Sequence, residues 1–223
     1  MRKPSTAVTA RMVLSGSSAL AIIRRISSSV KQRCFTVEEM QQMIARAPEP
    51  LSTILAVTAV LGLRIGETLA LRISDVDFKR KIVRVRQSVD AATRDVQAVK
   101  SEASSADLPL PSQLEARLRT HLQKHEGKSD LLFVNRKGRP LSANKLREKQ
   151  LHPLLEKLGI PRGGFHSIRH GACSALLADG ATPAVVQRQL RHSDPRITLG
   201  IYGHVVGSQQ RDAVQNRAAR IVN

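Results

Sequence analysis

Beyond about residue 35, the hydrophobic and polar positions pass from helical spacing to a short β-branched stretch and back to helical spacing. Thr36-Val37-Glu38-Glu39 has capping-box spacing, in which a hydroxyl and a carboxylate three residues on satisfy each other's backbone N–H groups, and predicts a helix to about Ala45. Leu51 to Leu61 predicts a second, apolar helix that Gly62 breaks. Arg64 and Glu67 follow on the next helical turns, spaced so that the carboxylate can sit beside the guanidinium and hold its orientation. Lys81-Ile82-Val83-Arg84-Val85-Arg86-Gln87 predicts a strand, and shorter strands at Val96 to Val99 and Ala106 to Leu110 complete a small antiparallel sheet with Lys100 at the turn between the last two.

The second half predicts mainly helix. Ser112-Gln113-Leu114-Glu115 repeats the capping-box spacing before a helix to about His125, and another runs from Ser142 to Leu158, disturbed at Pro153 and ended by Gly159. After Gly163-Gly164, His166 and Arg169 fall on one helix face, with Ala172, Ala175, Leu176 and Leu177 as the expected buried stripe. Asp179-Gly180-Ala181-Thr182-Pro183 closes that helix and opens the next, through about Leu190, with Pro183 at a first helical position that needs no N–H. His192 lies just beyond its end, and Asp194-Pro195 starts a last short helix toward Tyr202. Residues 208–223 form a tail with Val214, Ala218 and Ile221 at helical spacing. The pattern implies an α+β fold, mainly helical, with a small antiparallel three-stranded sheet.

Composition narrows the partners. A chain of 223 residues, 41% hydrophobic, can bury one substantial core. Lys and Arg number 36 against 18 Asp and Glu, a net charge of +18, which favours a polyanion through counterion release. Residues 1–34 read as a flexible basic linker lying along that partner, since the first 37 residues hold seven basic side chains and no acidic one. The apolar patch Ala19 to Ile23 is too short to span a membrane. Cys34 and Cys173 stand far apart with no Cys-x-x-Cys spacing, so neither a disulfide framework nor a zinc site is indicated and a reducing cytoplasm fits; Cys173 is expected as a core thiol.

Tyr202, the only tyrosine, brings in chemistry. Guanidinium forks such as those of Arg64 and Arg169 match the non-bridging oxygens of a phosphodiester and stay charged at any working pH. Imidazoles, here His166 and His192, can donate to an equatorial oxygen or take a proton near neutrality. A tyrosine hydroxyl, with a pKa near ~10, needs such neighbours before it can attack phosphorus and hold it as phosphotyrosine.

In that order the chain resembles the catalytic domain of a tyrosine recombinase of the phage-integrase family. The resemblance rests on Arg64 in Gly62-Leu63-Arg64-Ile65-Gly66-Glu67, Lys100, the His166-x-x-Arg169 pair, His192 and, ten residues on, Tyr202, and it runs from about Phe35 to about Gly207. It implies a domain at 35–207 followed by a tail helix at 208–223. It also implies double-stranded DNA as partner and site-specific recombination or integration through a 3′-phosphotyrosyl link. Tyr202 is then the nucleophile, Arg64, Arg169 and His192 stabilise the pentacoordinate phosphorus, His166 assists as acid or base, Lys100 protonates the leaving oxygen and Glu67 supports Arg64. No nucleotide, metal or other cofactor is inferred. A homo-oligomer, a tetramer on DNA joined through the C-terminal segment, is expected.

Two departures accompany the resemblance. Family members carry a helical core-binding domain before the linker, and residues 1–34 are too short for it, so it is expected to be absent from this chain. Arg191 stands where the family has glycine, which implies a strained loop or an added phosphate contact. The alternatives are a type IB topoisomerase, a catalytically inactive DNA-binding remnant and a basic RNA-binding structural protein. A covalent protein–DNA adduct separates the first of these from the other two, and strand exchange in place of supercoil relaxation separates recombinase from topoisomerase.

Overall fold

A computed structural model of the chain describes residues 33–99, 104–125, 127, 129–191, 196, 215, 217–219 and 221. These residues belong to the second of two units, 32–223. Helix α1 (Val37–Arg46) starts as expected: Thr36 Oγ1 accepts from the Glu39 N–H at 3.2 Å, and Glu39 Oε2 accepts from the Thr36 N–H at 3.0 Å. Helix α2 (Leu51–Leu61) is the centre of the core, packed by α1 and by helices described below, and it buries Leu51, Ile54, Leu55, Val57 and Leu61. Each such side chain contributes roughly 1.5–3 kcal/mol by leaving water. The few hydroxyls on α2 are satisfied where they are buried, Ser52 donating to the Ile44 carbonyl at 2.6 Å and Thr58 meeting Thr68 at 3.2 Å. Gly62 ends α2 in the left-handed region, at φ 66°, and α3 (Ile65–Ala70) follows directly.

The β region departs from the expected single sheet. Strands β1 (Val76–Asp77), β2 (Ile82–Val85) and β5 (Ala106–Pro109) form a three-stranded antiparallel sheet, whereas β3 (Gln87–Val89) and β4 (Val96–Ala98) form a separate hairpin. Val83 faces Leu108 and Val85 faces Ala106, so the alternate residues Val83, Val85 and Leu108 turn into the core. The predicted strand 81–87 is therefore two strands parted at Arg86, each with its own partner. β1 is too short for its alternation to be read, and Val96 to Ala98 pairs with β3.

Helix α4 (Ser112–Gln123) lacks the expected capping box. Pro111 occupies the cap position in extended backbone, which places Ser112 inside the helix, and the Glu115 carboxylate turns to Arg119 instead, at 2.9 and 3.0 Å. The disturbance expected at Pro153 is a widened turn: α5 (Ala143–Leu146) runs into a π-helical segment (Arg147–Leu151) and on into α6 (His152–Lys157). A proline here lacks an N–H and crowds the carbonyl of the preceding turn, and the extra width accommodates both effects.

Helices α7 (Phe165–Ala178) and α8 (Pro183–Leu190) meet through a small cluster of Cys173, Leu177, Val186 and Leu190. Of the predicted stripe on α7, Ala172 and Leu177 are buried, while Ala175 and Leu176 are half-buried because the stripe turns toward Ile168, Arg169 and Cys173. Burial pushes the Cys173 thiol up to about 11, as befits a core thiol. Thr182 caps α8 through its hydroxyl, with Pro183 at the first turn as predicted. Among the described residues, no helix is long and apolar enough to cross a membrane.

Candidate active site

Arg64 stands at the cap of α3 in extended backbone, and Glu67, one turn in, holds it twice. Its N–H donates to Glu67 Oε2 at 2.7 Å and its Nη1 to Oε1 at 2.9 Å. The Glu67 side chain is 3% exposed and the Arg64 side chain 41%, so a buried anchor aims a half-exposed guanidinium outward. Gly66 sits between them because α3 lies tight on the hairpin: a Cβ there would come within 2.6 Å of Ser88 Oγ and 2.8 Å of the Val89 carbonyl.

Arg169, on α7, is buried. Its Nη1 donates to the Gly62 carbonyl and its Nη2 to the Leu190 carbonyl, so one planar fork ties the ends of α2 and α8 to α7. Gln189 adds a bond from Nε2 to the Leu61 carbonyl at 3.3 Å. The junction is close enough that a Cβ on Gly62 would stand 2.1 Å from Leu190 Cδ2.

The residue after Leu190 is the one the sequence marked as anomalous. Arg191 takes φ 55° and ψ 47°, the left-handed region, and its side chain folds inward. Arg191 Nη2 donates to Glu67 Oε2 at 2.7 Å across 124 residues of sequence, with both side chains buried. Glu67 is thus shared by two arginines, and the second partner was not legible in the sequence beyond the missing glycine.

His166 lies one turn before Arg169 on α7, exposed on one side and partly shielded by the corner. Desolvation, then the positive charges of Arg169 and Arg64, hold its imidazole below the ordinary histidine range, so it is neutral at pH 7. Its ring meets that of His170 edge to face, with centroids 4.5 Å apart. His170, next to Arg169 in sequence, therefore flanks the site through His166; burial, then His166 and Arg169, lower it to about 4. Arg169 is lowered to about 10, first by burial and then by Arg64, and stays charged at neutral pH. The structure thus brings Arg64, Glu67, His166 and Arg169 into one corner. Lys100, His192 and Tyr202 lie outside the described residues. The groove lined by Glu49, Arg117, His121 and Phe133 contains none of Arg64, Glu67, His166 and Arg169.

Residues 33–208 match the phage integrase family. The chain belongs to this family. Its sequence is 28% identical over 178 residues to a XerC-like tyrosine recombinase of Caldanaerobacter subterraneus, covering 69% of this chain and 45% of the relative. It is also 28% identical over 205 residues to a putative prophage phiRv2 integrase of Mycobacterium tuberculosis, covering 89% and 52%. The chain thus spans about half the length of these curated relatives. Among solved structures, the Tn1549 transposon integrase in complex with a circular intermediate DNA shares its fold at a TM-score of 0.73 and 18% identity, over 84% of this chain and 66% of that one. The XerA recombinase does so at 0.64 and 23%, over 82% and 64%. The mainly helical α+β class with its small antiparallel sheet is the fold of these catalytic domains.

Proposed function

We propose that this integrase-family chain cuts and rejoins double-stranded DNA at specific sites through a phosphotyrosyl intermediate. The observation that carries the reading is the corner itself: in a chain of this family, the Arg64 guanidinium anchored on a buried carboxylate, the buried Arg169 guanidinium and the His166 imidazole come together from α3 and α7. The Tn1549 integrase, which shares the fold, is in complex with a circular intermediate DNA, and this supports the reading.

In the proposed reaction the Tyr202 oxygen attacks phosphorus and the bond to the 5′-oxygen breaks. Arg64, Arg169 and His192 carry the charge of the pentacoordinate state, a role that preorganised donors fill without reorganisation cost. His166 takes the phenolic proton; its depressed pKa keeps the ring in the accepting form at pH 7. Lys100, whose ordinary pKa is near ~10.4, donates a proton to the departing 5′-oxygen. Attack by a different 5′-hydroxyl reverses the step and rejoins the strand, so the bond energy is retained in the phosphotyrosine. The domain at 35–207 is the catalytic unit, residues 1–34 the basic linker, and residues 208–223 the segment through which copies assemble on DNA. The cytoplasm, where DNA is within reach, is the compartment this implies.

A nicked duplex that loses its 5′-hydroxyl fragment on cleavage tests the reading, followed by denaturing electrophoresis. The native chain forms a covalent adduct, and Tyr202→Phe forms none while binding the same DNA with nearly unchanged affinity. Adduct from the phenylalanine variant removes Tyr202 as nucleophile. Its absence from the native chain indicates a binding protein only.

A further inference from the structure

At the end of a helix, Arg191 takes a left-handed backbone that three other helix ends of this chain give to glycine, while Lys81 and Arg94 take it in the β region at φ 54° and 67°. The turns ending α2, α6 and α7 carry Gly62, Gly159 and Gly180 at φ 66°, 65° and 89°, whereas the turn ending α8 carries Arg191 at φ 55°. A side chain in that region is strained, so something holds it there. The holding contact is Glu67: the Arg191 side chain is 2% exposed and donates through Nη2 to Oε2, the same oxygen that accepts the Arg64 N–H. With glycine at 191, Oε2 would keep only that backbone bond. Leu190, the neighbour on the other side, supplies a carbonyl that holds Arg169. One two-residue turn therefore grips the supports of both proposed phosphate-binding arginines.

We propose that Arg191 is a positioning residue, which locks Glu67, and through it Arg64, against the turn that carries Arg169's acceptor. The assignment rests on the DNA-cleaving reading of the site. Arg191 touches neither substrate nor reacting atoms in this role. Its Nε and Nη1 are buried without a hydrogen-bond partner among the described residues. These open donors define the competing possibility of a direct phosphate contact, which makes a different experimental signature.

The test measures single-turnover adduct formation by the full chain at saturating nicked DNA, alongside the DNA Kd, its salt dependence and the melting temperature. Arg191→Gly and Arg191→Asn, both of which accept the left-handed backbone, slow adduct formation about 10- to 100-fold, the scale expected when a reacting geometry loosens, while Kd stays within about twofold. Arg191→Lys regains part of the rate. Glu67→Gln slows the reaction comparably, and the double variant Glu67→Gln/Arg191→Gly is no slower than the slower single, because both changes break the same link. A weaker Kd with a salt slope smaller by about one and an unchanged saturating rate overturns the proposal in favour of a phosphate ligand. A shift in melting temperature alone overturns it in favour of a merely structural role. No adduct from the native chain overturns the cleavage reading itself; adduct from the native chain and equally fast variants overturns only the role of Arg191.

Discussion

Gly62→Ala separates two costs that the junction of α2, α7 and α8 imposes on one residue, because Gly159 supplies a matched control. Both glycines take nearly the same backbone, φ 66° and 65°, and both end a helix. A Cβ on Gly159 meets nothing within 4 Å, whereas one on Gly62 stands 2.1 Å from Leu190 Cδ2. Gly159→Ala therefore carries only the left-handed strain of an L side chain, about 1–2 kcal/mol. Gly62→Ala adds the overlap. Leu190 is wholly buried against Cys173, Leu177 and Val186, so the added methyl costs a further ~1–3 kcal/mol, as overpacked cores do. The sum is about 2–5 kcal/mol, which for a domain of this size lowers the melting temperature by roughly 5–15 °C. Urea unfolding followed by circular dichroism measures both variants against the native chain. Gly62→Ala also displaces two carbonyls that hold Arg169, so its adduct yield falls further than its folded fraction. Equal destabilisation of the two variants, within about 0.5 kcal/mol, would refute the close junction.

The remaining predictions concern charge. His170 titrates near 4 in the folded chain and near ~6.5 when unfolded, so the unfolded state binds more protons between those values; the unfolding free energy falls as pH drops from about 6.5 to about 4 and levels off below. Urea melts across that range show a shallower fall for His170→Gln, and an identical slope in both proteins removes the assignment. Arg64→Ala and Arg169→Lys each lower cleavage by on the order of 10²-fold, by analogy with deleting one donor from an oxyanion site. They differ in stability: Arg64 is half-exposed and costs about 0–1 kcal/mol. Arg169→Lys costs more, about 1–3 kcal/mol, since an ammonium cannot reproduce the fork across two buried carbonyls. Melting and adduct assays on the same preparations check both, and equal stability losses contradict the cross-tie.

Short-range signals were legible wherever the physics is local. The Thr36–Glu39 capping box, the stop at Gly62, Pro183 opening α8, and His166 with Arg169 on one face of α7 each depend on residues within a turn or so. Where a local pattern met a competing neighbour it failed, as at Ser112, where Pro111 took the cap position. Pairing between distant segments was not legible. Val76–Asp77 is too short to show alternation and becomes a strand only because β2 lies beside it. His170 sits beside Arg169 in sequence and carries no signal of its own, yet four residues after His166 it comes round against that ring. The sequence alone thus determined the family, the helical segments and the residue types for phosphate chemistry. Only the tertiary structure decided that Glu67 is the shared anchor of Arg64 and Arg191 and that Arg169 spans the ends of α2 and α8. The reason is burial: a carboxylate or guanidinium removed from water must find its partners in the assembled core, and those partners here come from segments up to 124 residues away in the chain.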